Sequence, residues 1–175
     1  PKLKDLIEQC RNKAAARLET FRWIVFNTMV GNSDSHLKNI SFIVGHEGIS
    51  VAPFYDLLCT AVYHTRVFLD EGAVWPNEKL ASPVAGANFF SEVTYDKLID
   101  TGLELGLSKS AAGREVGKIV GRLADAADEI IAHLESILAD PRAPQGAPSQ
   151  MTKAAERRML RSIRAIVIAD MLRYV

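Results

Sequence analysis

The sequence predicts a mainly α-helical domain carrying one small β-hairpin. Apolar residues recur at helical spacing over most of the chain, alternate like a strand only just after Asn39, and are bounded by residues that cap helices. Hydrophobic residues make up 48% and charged residues 24% of the 175, an ordinary globular balance that excludes a disordered chain.

Leu3, Leu6, Ile7 and Cys10, then Leu18, Phe21, Val25 and Met29, predict two consecutive helices or one bent helix ending at Gly31. Trp23 to Phe26 make the second stretch apolar on several faces, as a central buried helix requires. Ile40 to Val44 and Ile49 to Val51 are β-rich runs on either side of Gly45-His46-Glu47-Gly48, which predicts a hairpin with a four-residue loop, and Pro53 stops the second strand. From Tyr63 to Asn88, Gly, Pro and Asn interrupt any period, so loop is expected there.

Thr94 is a fair N-cap for a helix through Leu98, Ile99 and Leu103. Ser108 is another, for a long helix carrying Val116, Ile119, Val120, Leu123, Ile130, Ile131 and Leu134. Residues 139–150, rich in Pro and small side chains, read as an internal linker within a single domain spanning 1–175. A terminal, locally basic helix is expected from about Thr152 to Tyr174.

Charge and cysteine usage narrow the function. The 21 basic and 21 acidic side chains cancel, so the domain lacks the basic footprint of a general nucleic-acid binder. Cys10 and Cys59 fit neither a disulfide framework nor a metal knuckle, and His36, His46, His64 and His133 lack zinc-ligand spacing. No apolar run is long enough for a membrane span, no leader precedes the first helix, and a cytoplasmic location is the default. The start at Pro1 rather than Met suggests a processed or excised piece.

The chemistry concentrates in Gly31-Asn32-Ser33-Asp34-Ser35-His36-Leu37-Lys38-Asn39. Phosphoryl transfer from ATP needs a carboxylate near the acceptor hydroxyl and oxygen ligands that hold Mg²⁺ on the phosphates. A kinase catalytic loop places its base Asp five residues before a metal-binding Asn, and a second metal-binding Asp follows. Asp34 and Asn39 have that spacing, and Asp56 comes after the hairpin. On this reading Asp34 positions or deprotonates the acceptor, and Asn39 and Asp56 ligate Mg²⁺. His36 and Lys38 steady the loop or the transferring phosphate, and Asn32 and Lys38 are candidate nucleotide contacts. The bland alternatives are turn and cap roles for Asp34, Asn32 and Asp56, a solvated Lys38, and core packing for Phe21, Trp23, Phe26, Phe42, Phe54 and Tyr55.

These residues resemble the HipA-type serine/threonine kinases, toxins of bacterial toxin-antitoxin systems. The likeness rests on Phe26-Asn27, on the Gly31 to Asn39 string and on Pro53-Phe54-Tyr55-Asp56-Leu57-Leu58. It implies the helical C-terminal lobe of a protein-kinase-like fold, with Asp34 catalytic and Asn39 and Asp56 on the metal. It also implies ATP and Mg²⁺ as cofactors, an antitoxin partner, DNA only through that antitoxin, and a protein substrate such as an aminoacyl-tRNA synthetase or other translation factor. The family's phosphate-covering loop and ATP-positioning lysine have no counterpart before Asp34, so this piece alone is expected to be inactive, its N-terminal lobe missing. The rival readings are a small-molecule phosphotransferase sharing the Asp-to-Asn spacing, and a non-catalytic module that binds antitoxin or DNA.

Overall fold

In the computed structural model, which describes residues 3–139 and 150–175, helices dominate. Helix α1 (Leu3–Ile7) and α2 (Lys13–Met29) are separate elements, the two-helix alternative, with residues 8–12 between them. Asn12 accepts the Ala15 N–H at 3.0 Å and so caps α2. The connection is also tied down from outside, because the Arg11 N–H donates to the Ile49 carbonyl at 2.8 Å.

Helix α2 is the hub. Phe21, Val25 and Met29 are fully buried. They join one core with Leu98 of α3 (Tyr95–Glu104), Val116 of α4 (Lys109–Ala139) and Met171 of α6 (Ala169–Tyr174). Thr94 caps α3 through the Lys97 N–H at 3.4 Å, and Ser108 caps α4 through the Ala111 N–H at 3.2 Å. Both caps match the sequence reading. Arg22 of α2 donates to Glu115 of α4 at 2.6 Å, a charged clasp beside the core.

The C-terminal helical run is α5 (Gln150–Ser162), a wider π-helical stretch (Ile163–Ile168) and α6. Val167 and Ile168 of the π stretch are buried, and Asp170 accepts the Trp75 indole N–H at 3.0 Å. Arg161 and Arg164 pair with Glu135 and Asp128, fastening this run to the outer half of α4. The expected linker, residues 139–150, lies outside the described residues except for its helical ends, Ala139 and Gln150.

The first hairpin pairs β1 (Phe42–Gly45) with β2 (Gly48–Val51). Gly45 and Gly48 pair with each other, so the loop is His46-Glu47 rather than four residues. A second antiparallel hairpin corrects the expectation of one: β3 (Lys79–Val84) pairs with β4 (Ala87–Phe89). Its turn is Ala85-Gly86, with φ of 43° and 82°, the left-handed pair that a two-residue hairpin turn needs. Leu80, Val84 and Ala87 face the core. Pro83 stands inside β3, where a two-stranded sheet leaves an edge that requires no donor.

Among the described residues no helix is long and apolar enough to cross a membrane.

Candidate active site

The loop between α2 and β1 begins where the end of α2 meets a tight turn. Gly31 has φ +69°, and the Asn32 N–H returns to the Asn27 carbonyl at 2.9 Å. Asn27 and Asn32 are both 1% exposed and pair through their side chains, Asn32 Nδ2 donating to Asn27 Oδ1 at 2.7 Å. Asn27 Nδ2 in turn donates to the Trp23 carbonyl at 2.8 Å, which satisfies a group buried within the helix.

Asn32 is the organiser of the loop. Its Oδ1 accepts the Asp34 N–H at 3.1 Å, and its Nδ2 also donates to the Asp56 carbonyl at 3.0 Å. One buried side chain thereby holds both acidic positions through their main chains. Its side chain is spent on these loop partners.

Asn39 makes the second cross-link. It ends a short 3₁₀ turn (Leu37–Asn39) and is 7% exposed. Its Nδ2 donates to the Asp34 carbonyl at 3.0 Å and to Asp56 Oδ2 at 3.1 Å. Both amide hydrogens are thus directed, which leaves the amide oxygen as the group with lone pairs to give.

Asp56 lies in the irregular stretch after β2 and holds φ +58°, a left-handed conformation that Asp tolerates better than most residues. Tyr55 beside it is tied back to the loop, its hydroxyl donating to the Lys38 carbonyl at 3.0 Å and standing 2.9 Å from Ser41 Oγ. The structure therefore brings Asp34, Asn39 and Asp56 into one hydrogen-bonded group, with both carboxylates open to solvent.

The other expected residues fall as follows. His36 Nε2 approaches Asp34 Oδ1 at 3.7 Å, longer than a hydrogen bond, and its Nδ1 is buried without a partner. Lys38 is exposed on the loop surface. Of the aromatic set, Phe21 and Trp23 are buried core, Phe54 stacks at a tilt 6.2 Å from Trp23, and Tyr55 is 46% exposed. Asn27, Ser33 and Thr60 carry much of the loop's bonding but stood out little in the sequence, being short polar residues without a spacing signal of their own. Cys59, next to Thr60, has its thiol pushed up to about 12, chiefly by burial.

A carboxylate and an amide side by side, with the remaining positions open to water and phosphate oxygens, is a donor set that suits a hard divalent cation such as Mg²⁺. Among the described residues no cluster of three or more His, Cys, Asp or Glu forms a metal site of the all-protein kind.

The HipA-like C-terminal domain model matches residues 1–131. The chain belongs to the HipA-like C-terminal domain family. It is similar to the serine/threonine-protein kinase toxin HipA of Shewanella oneidensis, at 39% identity over 62 residues covering 35% of this chain and 14% of that protein. A protein of Sinorhizobium fredii named "Putative kinase Y4mE" is 39% identical over 67 residues, 36% of this chain and 16% of that one. Among solved structures, the Shewanella oneidensis complex of HipA, HipB and operator DNA superposes with a TM-score of 0.72 at 25% identity, covering 98% of this chain and 34% of that chain. The HipA-like chain described here thus spans about a third or less of these relatives' length, and its fold is that of a helical C-terminal portion of a HipA kinase.

Proposed function

We propose that this chain is the catalytic-loop and metal-binding lobe of an ATP-dependent serine/threonine protein kinase of the HipA type. The observation that carries the proposal is the contact between Asn39 and Asp56 across the first hairpin, with Asp34 pinned to the same amide. It brings together the Asp, Asn, Asp set that kinase-type catalytic loops use.

In this reading Asp34, exposed and held only through its backbone, presents its carboxylate to the acceptor hydroxyl and receives or orients its proton. Asn39 Oδ1 and the Asp56 carboxylate hold Mg²⁺, which when bound neutralises charge on the ATP phosphates. Asn32 fixes the relative placement of the two acidic positions. Lys38, exposed beside them, offers a cation to the transferring group.

The nucleotide would be covered by a further lobe, so the 175 residues alone are expected to transfer no phosphate. An antitoxin partner, DNA reached through it, and a protein substrate in the cytoplasm belong to the same proposal. The antitoxin and DNA draw support from the likeness to a HipA whose structure holds HipB and operator DNA.

The test is labelled-ATP transfer by a longer HipA-type protein that contains this chain, with Mg²⁺, alongside Asp34→Asn and Asp56→Asn. Each substitution should lower transfer by at least a hundredfold, in line with loss of a general base or of a metal ligand. Wild-type rates in either variant would refute the assignment.

A further inference from the structure

The stretch from Ala52 to Thr60 has no regular secondary structure, yet it must deliver Asp56 to Asn39. Its front end is fastened by the Ala52 N–H to the Ser41 carbonyl at 2.9 Å. Its far end is fastened by one hydroxyl. Thr60 Oγ1 accepts the Ser33 N–H at 2.7 Å, lies 2.8 Å from Ser33 Oγ, and donates to the Gly31 carbonyl at 3.4 Å. The next residue continues the seam, the Ala61 N–H donating to the same Gly31 carbonyl at 2.9 Å.

We infer that Thr60 is a positioning residue for the site: its hydroxyl locks the residue before Asp34 to the strap that carries Asp56, and so sets the separation of the acceptor carboxylate from the metal pair. A Thr hydroxyl has one proton and two lone pairs, and its three contacts, to the Ser33 N–H, the Ser33 hydroxyl and the Gly31 carbonyl, can engage all of them. Ser33 immediately precedes Asp34, so the lock acts one peptide unit from the base. The other cross-links, Asn32 to the Asp56 carbonyl and Asn39 to the Asp56 carboxylate, hold Asp56 itself. Thr60 is the side chain that fixes the strap behind it to the loop's start, beside the main-chain bond from the Ala61 N–H to the Gly31 carbonyl.

This inference rests on the metal reading of Asn39 and Asp56, and the experiment separates the two. Mn²⁺, a paramagnetic substitute for Mg²⁺, is titrated into the 175-residue chain, and broadening of the Asn39 side-chain amide and Asp56 backbone amide signals is followed by NMR. Wild type should broaden at these positions first, and Asp56→Asn should abolish the selectivity. Thr60→Val, which keeps the shape and removes the hydroxyl, should raise the half-broadening Mn²⁺ concentration about fivefold, the factor of one neutral hydrogen bond. Thr60→Ser, which restores the hydroxyl, should return within about twofold of wild type.

Thr60→Ala serves the same comparison if valine is not accommodated. A purely structural Thr60 would lower the urea midpoint and leave the Mn²⁺ titration unmoved, and that result overturns the inference while leaving the metal site standing. Broadening in Asp56→Asn equal to wild type overturns both.

Discussion

Asn39 and Asp56 are 17 residues apart in sequence and in direct contact, Nδ2 to Oδ2 at 3.1 Å, because the first hairpin folds the chain back on the loop. The contact joins a buried amide to an exposed carboxylate. Charge at Asp56 is therefore set against one fixed donor and otherwise free to meet a cation.

Asp56 separates function from conformation. Its φ of +58° is tolerated by Asn nearly as well as by Asp, but costs a residue such as Ala about 1 kcal/mol. Asp56→Asn should keep its urea midpoint close to wild type, while Asp56→Ala should lose about 1 kcal/mol of stability. Both should lose selective Mn²⁺ broadening at Asn39. A stable Ala variant would show that the left-handed backbone carries no strain.

The buried pair Asn27 and Asn32 is the polar keel of the loop. Asn32→Ala removes the partner of the Asp34 N–H and strands Asn27 Oδ1, so a loss of about 2 kcal/mol is expected in urea unfolding. Asn32→Asp should cost more, since it sets a buried carboxylate against the Asn27 and Asp56 carbonyl oxygens. A double-mutant cycle between Asn27→Ala and Asn32→Ala should show coupling of about 1 kcal/mol. Strict additivity would argue that the two amides act independently.

How much of this was legible in the sequence follows from how local each signal is. Asp34 and Asn39 stand at a fixed spacing within one loop, and Asp56 follows a hairpin with its own turn residues, so their association could be read along the chain. The helices of α2, α3 and α4 were legible for the same reason, through apolar spacing and the Thr94 and Ser108 caps. A loop-shaping part for Asn32 was open in the sequence, but its bond to Asp56 and the Thr60 lock were not, because those partners sit up to 29 residues away and depend on how the strap returns. The second hairpin escaped because Pro83 sits within β3, and Leu80 and Val84 are too few to establish a period of two.

Gly31 tests whether the loop's start is sterically locked. A Cβ there would lie 2.6 Å from Val167 Cγ1 and 2.9 Å from the Ala61 Cβ, at a φ of +69° that already disfavours L residues. Gly31→Ala should therefore destabilise by roughly 2–4 kcal/mol, adding conformational strain to overpacking. Val167→Ala should recover part of that loss when combined with Gly31→Ala, because it removes the nearer clash. No recovery would place the cost in the backbone and the Ala61 contact.

The clasp between α2 and α4 should be visible in acid. Glu115 is buried, and the Arg22 guanidinium at 2.6 Å, with Lys118 at 2.9 Å, holds its carboxyl below the usual glutamate value. A carboxyl depressed in the folded state stabilises it above the unfolded value of about 4.3, and that contribution fades as pH falls through the lower folded value. Glu115→Gln should be less stable than wild type at pH 7. The gap between their urea midpoints should stay constant down to about pH 5 and then close as wild type protonates. Glu8, lowered likewise beside Arg17, is present in both proteins, so its share of the acid slope cancels in the difference. A gap that stayed the same at pH 3 would show that the glutamine variant loses packing or hydrogen bonding, with no net contribution from the Glu115 charge.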